Sequence, residues 1–274
     1  MDKKKIGILY ICTGQYAIFW KAFYESMEQY FITDSEKHYF VFTDQPEIAY
    51  EKEHPNIHRI FQKNLGWPDN TLLRFEVFLN HQKQFENMEY LFFFNANLLV
   101  KQTITADEFL PTHQEKLMAC LHPGFYAKSP NKFPYETNSA STAYIPSGKG
   151  IHYFAGGLNG GFTANFLEAM QSMATAAAQD SAHGIVAAFH DESHWNKYLL
   201  DKPYIKILSA SYLYPEGLHL SVPEIIMIRD KQKYGGHYKM RGEKLSLSTY
   251  TYLTIRRTVG RIKRTLFSLL HITE

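Results

Sequence analysis

Cysteine is scarce in this chain: two residues in 274, Cys12 and Cys120, each set inside an apolar run, ILYICT and LMACLH. Without a CxxC spacing or a second pair there is neither a disulfide framework nor a zinc knuckle, and both thiols read as reduced core residues. An excess of charge is missing too. Lys and Arg number 29 against 27 Asp and Glu, a formal net charge of +2, which gives no sign of a nucleic-acid partner. No apolar run approaches the ~20 residues of a membrane span. The opening MDKKKIGILYICTG joins lysines to a short apolar run, but Gly7 and Tyr10 interrupt it and no small-residue cleavage site follows, so it reads as a first strand and not a signal peptide. What is plentiful is aromatic, 15% of residues, in a chain long enough to bury one large core.

Short apolar runs of the buried-strand kind recur at residues 5–13 (KIGILYICT), 38–44 (HYFVFTD), 56–62 (NIHRIFQ), 90–95 (YLFFFN) and 116–122 (KLMACLH). Helix-like segments at 16–31 and 70–85 separate them, the second carrying Leu73, Val77, Phe78 and His81 as a stripe. This alternation predicts an α/β body with a mixed, mainly parallel sheet flanked by helices. In such sheets ligands bind beyond the carboxyl ends of the strands, here residues 11–16 and 95–97. Residues 123–150 are rich in Pro, Ser, Asn and aromatics and lack periodicity, as expected of a lid or an acceptor-binding loop. A Gly-rich turn (AGGLNGG, 155–161), a helix over 163–179 and a polar block (HDESHWNKYLLD, 190–201) follow.

Four constellations bear on chemistry. Asn95-Ala96-Asn97 closes a hydrophobic strand with two neutral amides, which are turn formers. They are also hydrogen-bond donors able to meet phosphate or ribose oxygens. In HDESHWNKY a helix would place His190, His194 and Lys197 on one face; two His at i and i+4 invite zinc, with Asp191 as base, although a third ligand is not evident. Such a polar cluster is costly to bury without purpose and is otherwise a solvated face. AGGLNGG permits either a turn or close ligand approach. Residues 228–242 (IRDKQKYGGHYKMRG) intersperse cations with Gly and Tyr, as a charged loop or a segment closing over phosphates.

Taken in order, TAYIPSGKG, FAGGLNGG and HDESHWNKYLLDKP resemble the glycosyltransferase family that includes the histo-blood-group A and B transferases and α1,3-galactosyltransferase, over residues 8–241. The resemblance displaces the zinc reading. It implies a GT-A, Rossmann-like fold and a retaining transfer of galactose or N-acetylgalactosamine from a UDP-sugar in α1,3 linkage to galactose, with UDP-N-acetylgalactosamine the expected donor; the alternatives are UDP-galactose as donor, or a carbohydrate-binding protein without turnover. It also implies uracil or ribose contacts from Ile11, Thr13 and Tyr16, with Trp67 near the site and Arg74 on the nucleotide. Asn95, Ala96 and Asn97 occupy the position of the family's metal-binding D-x-D. Replacing two carboxylates by amides removes the charge that a divalent ion would balance, so no manganese or magnesium is expected.

Ala155, Gly156 and Gly157 fall on the family's donor-sugar turn. Gly157 matches the position that is glycine where N-acetylgalactosamine is used and alanine where galactose is used. Glu192 matches the catalytic glutamate and is also expected beside the acceptor. Asp191 should bind donor-sugar hydroxyls, His190 the acceptor or the sugar, and Lys231, with Lys233 and Arg241, the diphosphate. His122 stands in the acceptor loop, where His122-Pro123 takes the place of tryptophans. The implied acceptor ends in fucose α1,2-linked to galactose.

The expected organisation is a catalytic domain over 1–242 and a basic tail over 243–274. In the tail Ile255, Val259, Ile262, Leu266 and Leu269 recur at helical spacing among arginines and lysines. Such a helix suits a membrane surface, contacting it through 252–270, and the expected location is cytoplasmic, at the inner face of the membrane.

Overall fold

The computed structural model describes residues 3–242; the amphipathic tail predicted over 252–270 lies outside them. Seven strands form the main sheet: β1 (Lys5–Ile11), β2 (Glu36–Thr43), β3 (Ile57–Phe61), β4 (Tyr90–Phe94), β6 (Leu117–Leu121), β7 (Phe154–Phe162) and β8 (Lys206–Leu208). Their order is β3-β2-β1-β4-β7-β6-β8. Every pairing in this sheet is parallel except those of β7, which runs against both β4 and β6. A second, small sheet joins β5 (Leu98–Val100), β10 (Ile226–Ile228) and β9 (Tyr214–Pro215).

Alternation along β1 divides the core in two. Ile6, Ile8 and Tyr10 enter one apolar cluster and Leu9 the other, as a strand buried on both faces requires. Helix α1 (Trp20–Tyr30) covers the first face with Trp20, Phe23, Tyr24 and Met27, spaced on one stripe. The long α5 (Thr163–Ala182) covers the second with Phe166, Ala169, Met170 and Met173. With it pack Phe75 and Phe78 of α3 (Arg74–Leu79) and Trp195 of α6 (Asp191–Leu199). Cys12 and Cys120 are free and buried. Short helices α2 (Asp69–Leu72), α4 (Ala106–Phe109) and α7 (Gly236–Arg241) complete the described body. Among the described residues no helix is long and apolar enough to cross a membrane.

Three local expectations are corrected. The helix over 70–85 is broken into α2, α3 and a 3-10 turn, because Leu73 leaves the helical region at φ −94°, ψ 7° and His81 does so at φ −120°, ψ 12°. The AGGLNGG segment is not a turn; it lies inside β7. A side chain at Gly160 would collide with the Leu91 carbonyl oxygen, so glycine is what lets β7 lie against β4. Finally, His190 precedes α6 with φ 52° and ψ −125°, so it does not share a helical face with His194. The i, i+4 pair is absent: His194 turns toward Asp180, 3.8 Å away, and His190 toward Trp67, with ring centroids 5.4 Å apart.

Candidate active site

Three chain segments meet at the carboxyl ends of β1 and β4. After β1 the chain presents Thr13 and Tyr16; after β4 it presents Asn95 and Ala96, the latter fixed by the Tyr10 hydroxyl, which donates to its carbonyl at 2.7 Å. Antiparallel β7 begins there, and the Asn95 N–H donates to the Gly157 carbonyl at 2.9 Å. Helix α6 brings its first turn to the same place. It is locked onto β7 by Asn196, whose amide donates to the Phe154 carbonyl at 2.8 Å and accepts from the Phe154 N–H at 2.9 Å.

The result is two adjoining clefts. The first, about 490 Å3, is lined by Ile11, Thr13, Tyr16, Trp67, Arg74, Asn95, Ala96, Gly156, Gly157, His190, Asp191, Glu192, Lys231 and Arg241. The second, about 390 Å3, holds His122 and Ala155 amid apolar Leu98, Pro123, Leu213, Pro215, Leu218 and Ile228. Asn95, Gly157 and Glu192 line both clefts.

Glu192 stands on this common wall with both carboxylate oxygens engaged. Tyr153 donates to Oε1 at 2.6 Å and the Gly156 N–H to Oε2 at 2.8 Å. Asp191 is ion-paired with Arg74, both buried. Burial pushes the Arg74 guanidinium pKa down, the Glu192 charge opposing. Arg74 Nε and His190 Nδ1 have no protein partner, and the positive φ of His190 is backbone strain of the kind that gathers at functional sites. Lys231 is held down to about 8, first by burial and then by Arg241. Its ammonium lies 5.0 Å from the centre of the Tyr16 ring, and the Arg241 guanidinium lies 4.3 Å from that of Trp67. Two cations thus converge on the first cleft. Burial also lowers the His122 pKa, against the pull of Glu192.

Three of the expected donor contacts are not in the first cleft. Asn97 is 2% exposed, and its Nδ2 already donates to the Arg229 carbonyl at 2.8 Å while its Oδ1 accepts from Asn95 Nδ2 at 3.2 Å. It braces Asn95 instead of facing a ligand. Lys233 is exposed and bound to Glu216 at 2.5 Å, which draws it away. Ala155 lines the second cleft, not the first.

Other residues escaped the sequence reading. Asn64 and Asn70 line the first cleft and knit their loop together, Asn64 Oδ1 accepting from Gly66 N–H at 2.9 Å and from Asn70 Nδ2 at 2.7 Å. The turn-rich string NLGWPDN was their available signal. Glu136, Ser141 and Thr142 tie the long aperiodic loop down: Glu136 accepts from Ala188 N–H at 2.7 Å, and Asp180 of α5 accepts from the Ser141 hydroxyl at 2.5 Å and Thr142 N–H at 2.7 Å.

Among the described residues no group of three or more His, Cys, Asp or Glu is placed to hold a metal ion. A pair of neutral amides, one of them spent on the backbone, is a poor match for a hard divalent cation, which favours carboxylate oxygens.

Comparison with known proteins supplies the family. A family model described as glycosyltransferase family 6 matches residues 1–241. The O-antigen biosynthesis glycosyltransferase WbnI of Escherichia coli is 35% identical over 229 residues, 83% of this chain and 95% of that protein. Histo-blood group ABO system transferase 1 of Rattus norvegicus is 31% identical over 232 residues, 82% of this chain and 65% of that protein. Globoside alpha-1,3-N-acetylgalactosaminyltransferase 1 of Homo sapiens is 29% identical over 222 residues, 77% of this chain and 61% of that protein. The chain therefore spans less than two thirds of the length of these two mammalian relatives.

Proposed function

The chain belongs to glycosyltransferase family 6, and from that premise we propose that it transfers N-acetylgalactosamine from UDP-N-acetylgalactosamine, with retention and without a metal ion, in α1,3 linkage to the galactose of a fucose-α1,2-galactose acceptor. That it is a UDP-sugar glycosyltransferase follows from the family and its relatives. The finer assignment rests above all on one observation: two clefts share a wall, and the carboxylate of Glu192 is fixed on that wall.

Donor and acceptor then meet at Glu192. The uridine lies against Ile11, Thr13 and Tyr16, and the diphosphate under Lys231 and Arg241. The sugar sits over Gly156 and Gly157, with Asp191 for its hydroxyls and its ion-pair partner Arg74 toward the nucleotide. His122 faces the acceptor. The bond from the anomeric carbon to the phosphate oxygen breaks, positive charge grows on the sugar, and the Glu192 carboxylate opposes it. Retention follows either if Glu192 bonds to the anomeric carbon before the acceptor hydroxyl displaces it, or if the acceptor attacks from the side the diphosphate leaves; in both routes the hydroxyl's proton passes to the departing UDP phosphate.

Two features favour the amino sugar and the absence of metal. A methyl group at Gly157 would meet Asn95 Cβ at 3.6 Å and Leu213 Cδ2 at 4.0 Å, ordinary contacts, so the backbone and its neighbours do not require glycine there. The space left open is of use to a ligand, and it suits an acetamido group. The relative named a globoside alpha-1,3-N-acetylgalactosaminyltransferase points the same way. As for the metal, neutral Asn95 and Asn97 need no counter-ion, and Lys231 and Arg241 supply protein cations for the leaving diphosphate.

The test is a transfer assay with UDP-N-acetylgalactosamine and UDP-galactose, a fucosylated galactoside and excess EDTA. Efficient α1,3 transfer of N-acetylgalactosamine in chelator, and its collapse in Glu192→Gln with UDP binding retained, is the expected result. A strict manganese requirement or a preference for UDP-galactose would refute the corresponding part.

A further inference from the structure

We infer that Tyr153 is a positioning residue for Glu192, coupling the loop on the acceptor side to the carboxylate at the reaction centre. The inference rests on the role given to Glu192 above. Tyr153 is 2% exposed, and its hydroxyl donates to Glu192 Oε1 at 2.6 Å. A glutamate side chain has three rotatable bonds, and a single donor leaves its carboxylate free to swing. Here the Gly156 N–H takes the other oxygen at 2.8 Å, so the carboxylate plane is set by two donors from β7 and the residue just before it. A charge-assisted hydrogen bond of this kind is both short and strong. Burial and the Glu192 charge hold the Tyr153 phenol protonated, its pKa far above the usual value, so it acts as a donor at every working pH.

The other end of Tyr153 lies in an aromatic nest. Its ring centre is 5.2 Å from that of Phe125, 5.6 Å from those of His122 and Tyr135, and 6.1 Å from that of Phe133. Phe125, Phe133 and Tyr135 all come from the aperiodic segment 123–150, and His122 at its root lines the acceptor cleft. One side chain thus spans from that loop to the carboxylate. Any arrangement of the loop that an acceptor imposes is felt at Glu192 through the tilt of this ring. Tyr153 itself lines neither cleft, so it acts through Glu192 and not on the sugars.

Tyr153→Phe keeps the ring in its nest and removes only the donor. Losing a hydrogen bond to a charged group at this position is expected to lower kcat about 10- to 100-fold, with KM for the UDP-sugar unchanged and the melting temperature close to that of the parent. In a Glu192→Gln background the same change should cost less than about threefold, because the two residues act as a unit. Unchanged kcat in Tyr153→Phe while Glu192→Gln is impaired would overturn the inference, as would full additivity in the double variant or an effect confined to KM. Wild-type activity in Glu192→Gln would instead overturn the role of Glu192, a distinct failure. Should Tyr153→Phe not fold, Phe125→Leu provides the test. Loosening the ring contact should lower kcat several-fold at constant donor KM, and unaltered kcat would count against the coupling.

Discussion

Lys231 offers the sharpest quantitative handle on the proposed donor site. Its ammonium is largely buried beside Arg241 and over Tyr16, and its pKa is lowered from 10.5 to about 8. At about 1.4 kcal/mol per unit, keeping that charge in the folded protein at neutral pH costs roughly 3 kcal/mol. A lowered lysine pKa means that the unfolded chain binds the proton more tightly, so the cost is present in full below pH 8. It shrinks between pH 8 and 10.5, and is absent above that. A diphosphate entering the cleft reverses the balance by favouring the ammonium, so binding must draw in a proton wherever free Lys231 is already neutral.

With a free-protein pKa of about 8, the charged fraction falls about thirtyfold between pH 7 and 9.5, and the apparent Kd for UDP should rise by a similar factor. Calorimetric titration of UDP in buffers of different ionisation enthalpy measures both the affinity and the proton uptake, expected to approach one proton near pH 9.5. Lys231→Met should weaken UDP binding at pH 7, flatten the pH dependence and raise the unfolding free energy at neutral pH by up to about 3 kcal/mol. The variant also separates Lys231 from Arg74, whose pKa is likewise pushed down by burial. An affinity that stays level from pH 7 to 9.5 with no proton uptake, or a Lys231→Met protein with the parental profile, would refute the reasoning.

Further expectations concern the neighbours. Gly157→Ala should fold normally, since the added methyl meets nothing closer than 3.6 Å, and should shift donor preference toward UDP-galactose by ~1 to 3 kcal/mol, read as a ratio of kcat/KM values. Gly156→Ala should behave differently: its Cβ would sit 3.1 Å from Glu192 Cβ, so kcat should fall at least tenfold with both donors while the ratio holds. Lys233→Ala should leave the Kd for UDP within about twofold, because its ammonium is spent on Glu216 at the surface; a larger loss would show that it reaches the diphosphate. Asn97→Ala strips the Arg229 carbonyl of its buried donor and should cost ~1 to 3 kcal/mol in denaturant unfolding, with a secondary loss of UDP affinity as Asn95 loses its brace.

Much of this was legible in the sequence, for physical reasons. Strands buried on both faces write themselves as apolar runs, and these, with the edge strand β3, were read near their observed bounds. Most of the residues that line the first cleft were named from the resemblance, because they sit in contiguous motifs at strand ends. What the sequence hid depends on contacts between distant segments. AGGLNGG looks like a turn by propensity, yet its glycines answer to the backbone of β4 pressing on Gly160. The stripe at 190–197 looks like one helical face until the positive φ of His190 breaks it. Tyr153 was invisible among 19 tyrosines and 20 phenylalanines, since nothing local distinguishes a phenol that will meet a carboxylate 39 residues further along the chain.

The same long-range view recasts the two asparagines. Read along the chain, they are equivalent donors placed two residues apart. In the folded protein they divide the labour: Asn95 faces both clefts, while Asn97 joins the β4 end to the β10 end, its side-chain amide donating to the Arg229 carbonyl at 2.8 Å and its backbone carbonyl accepting from the Arg229 N–H at 2.8 Å. Residue 229 lies two positions before Lys231. The pair therefore does more than remove negative charge: through Asn97 it fixes the approach of the segment that carries the cation. On this reasoning carboxylates could not simply be restored here. Asn97→Asp would turn a donor into a second acceptor against the Arg229 carbonyl and so dislodge the segment bearing Lys231. The double variant Asn95→Asp, Asn97→Asp is accordingly expected to lose UDP affinity in EDTA and not to regain it with manganese; full recovery with manganese would show that the site still accommodates the ion.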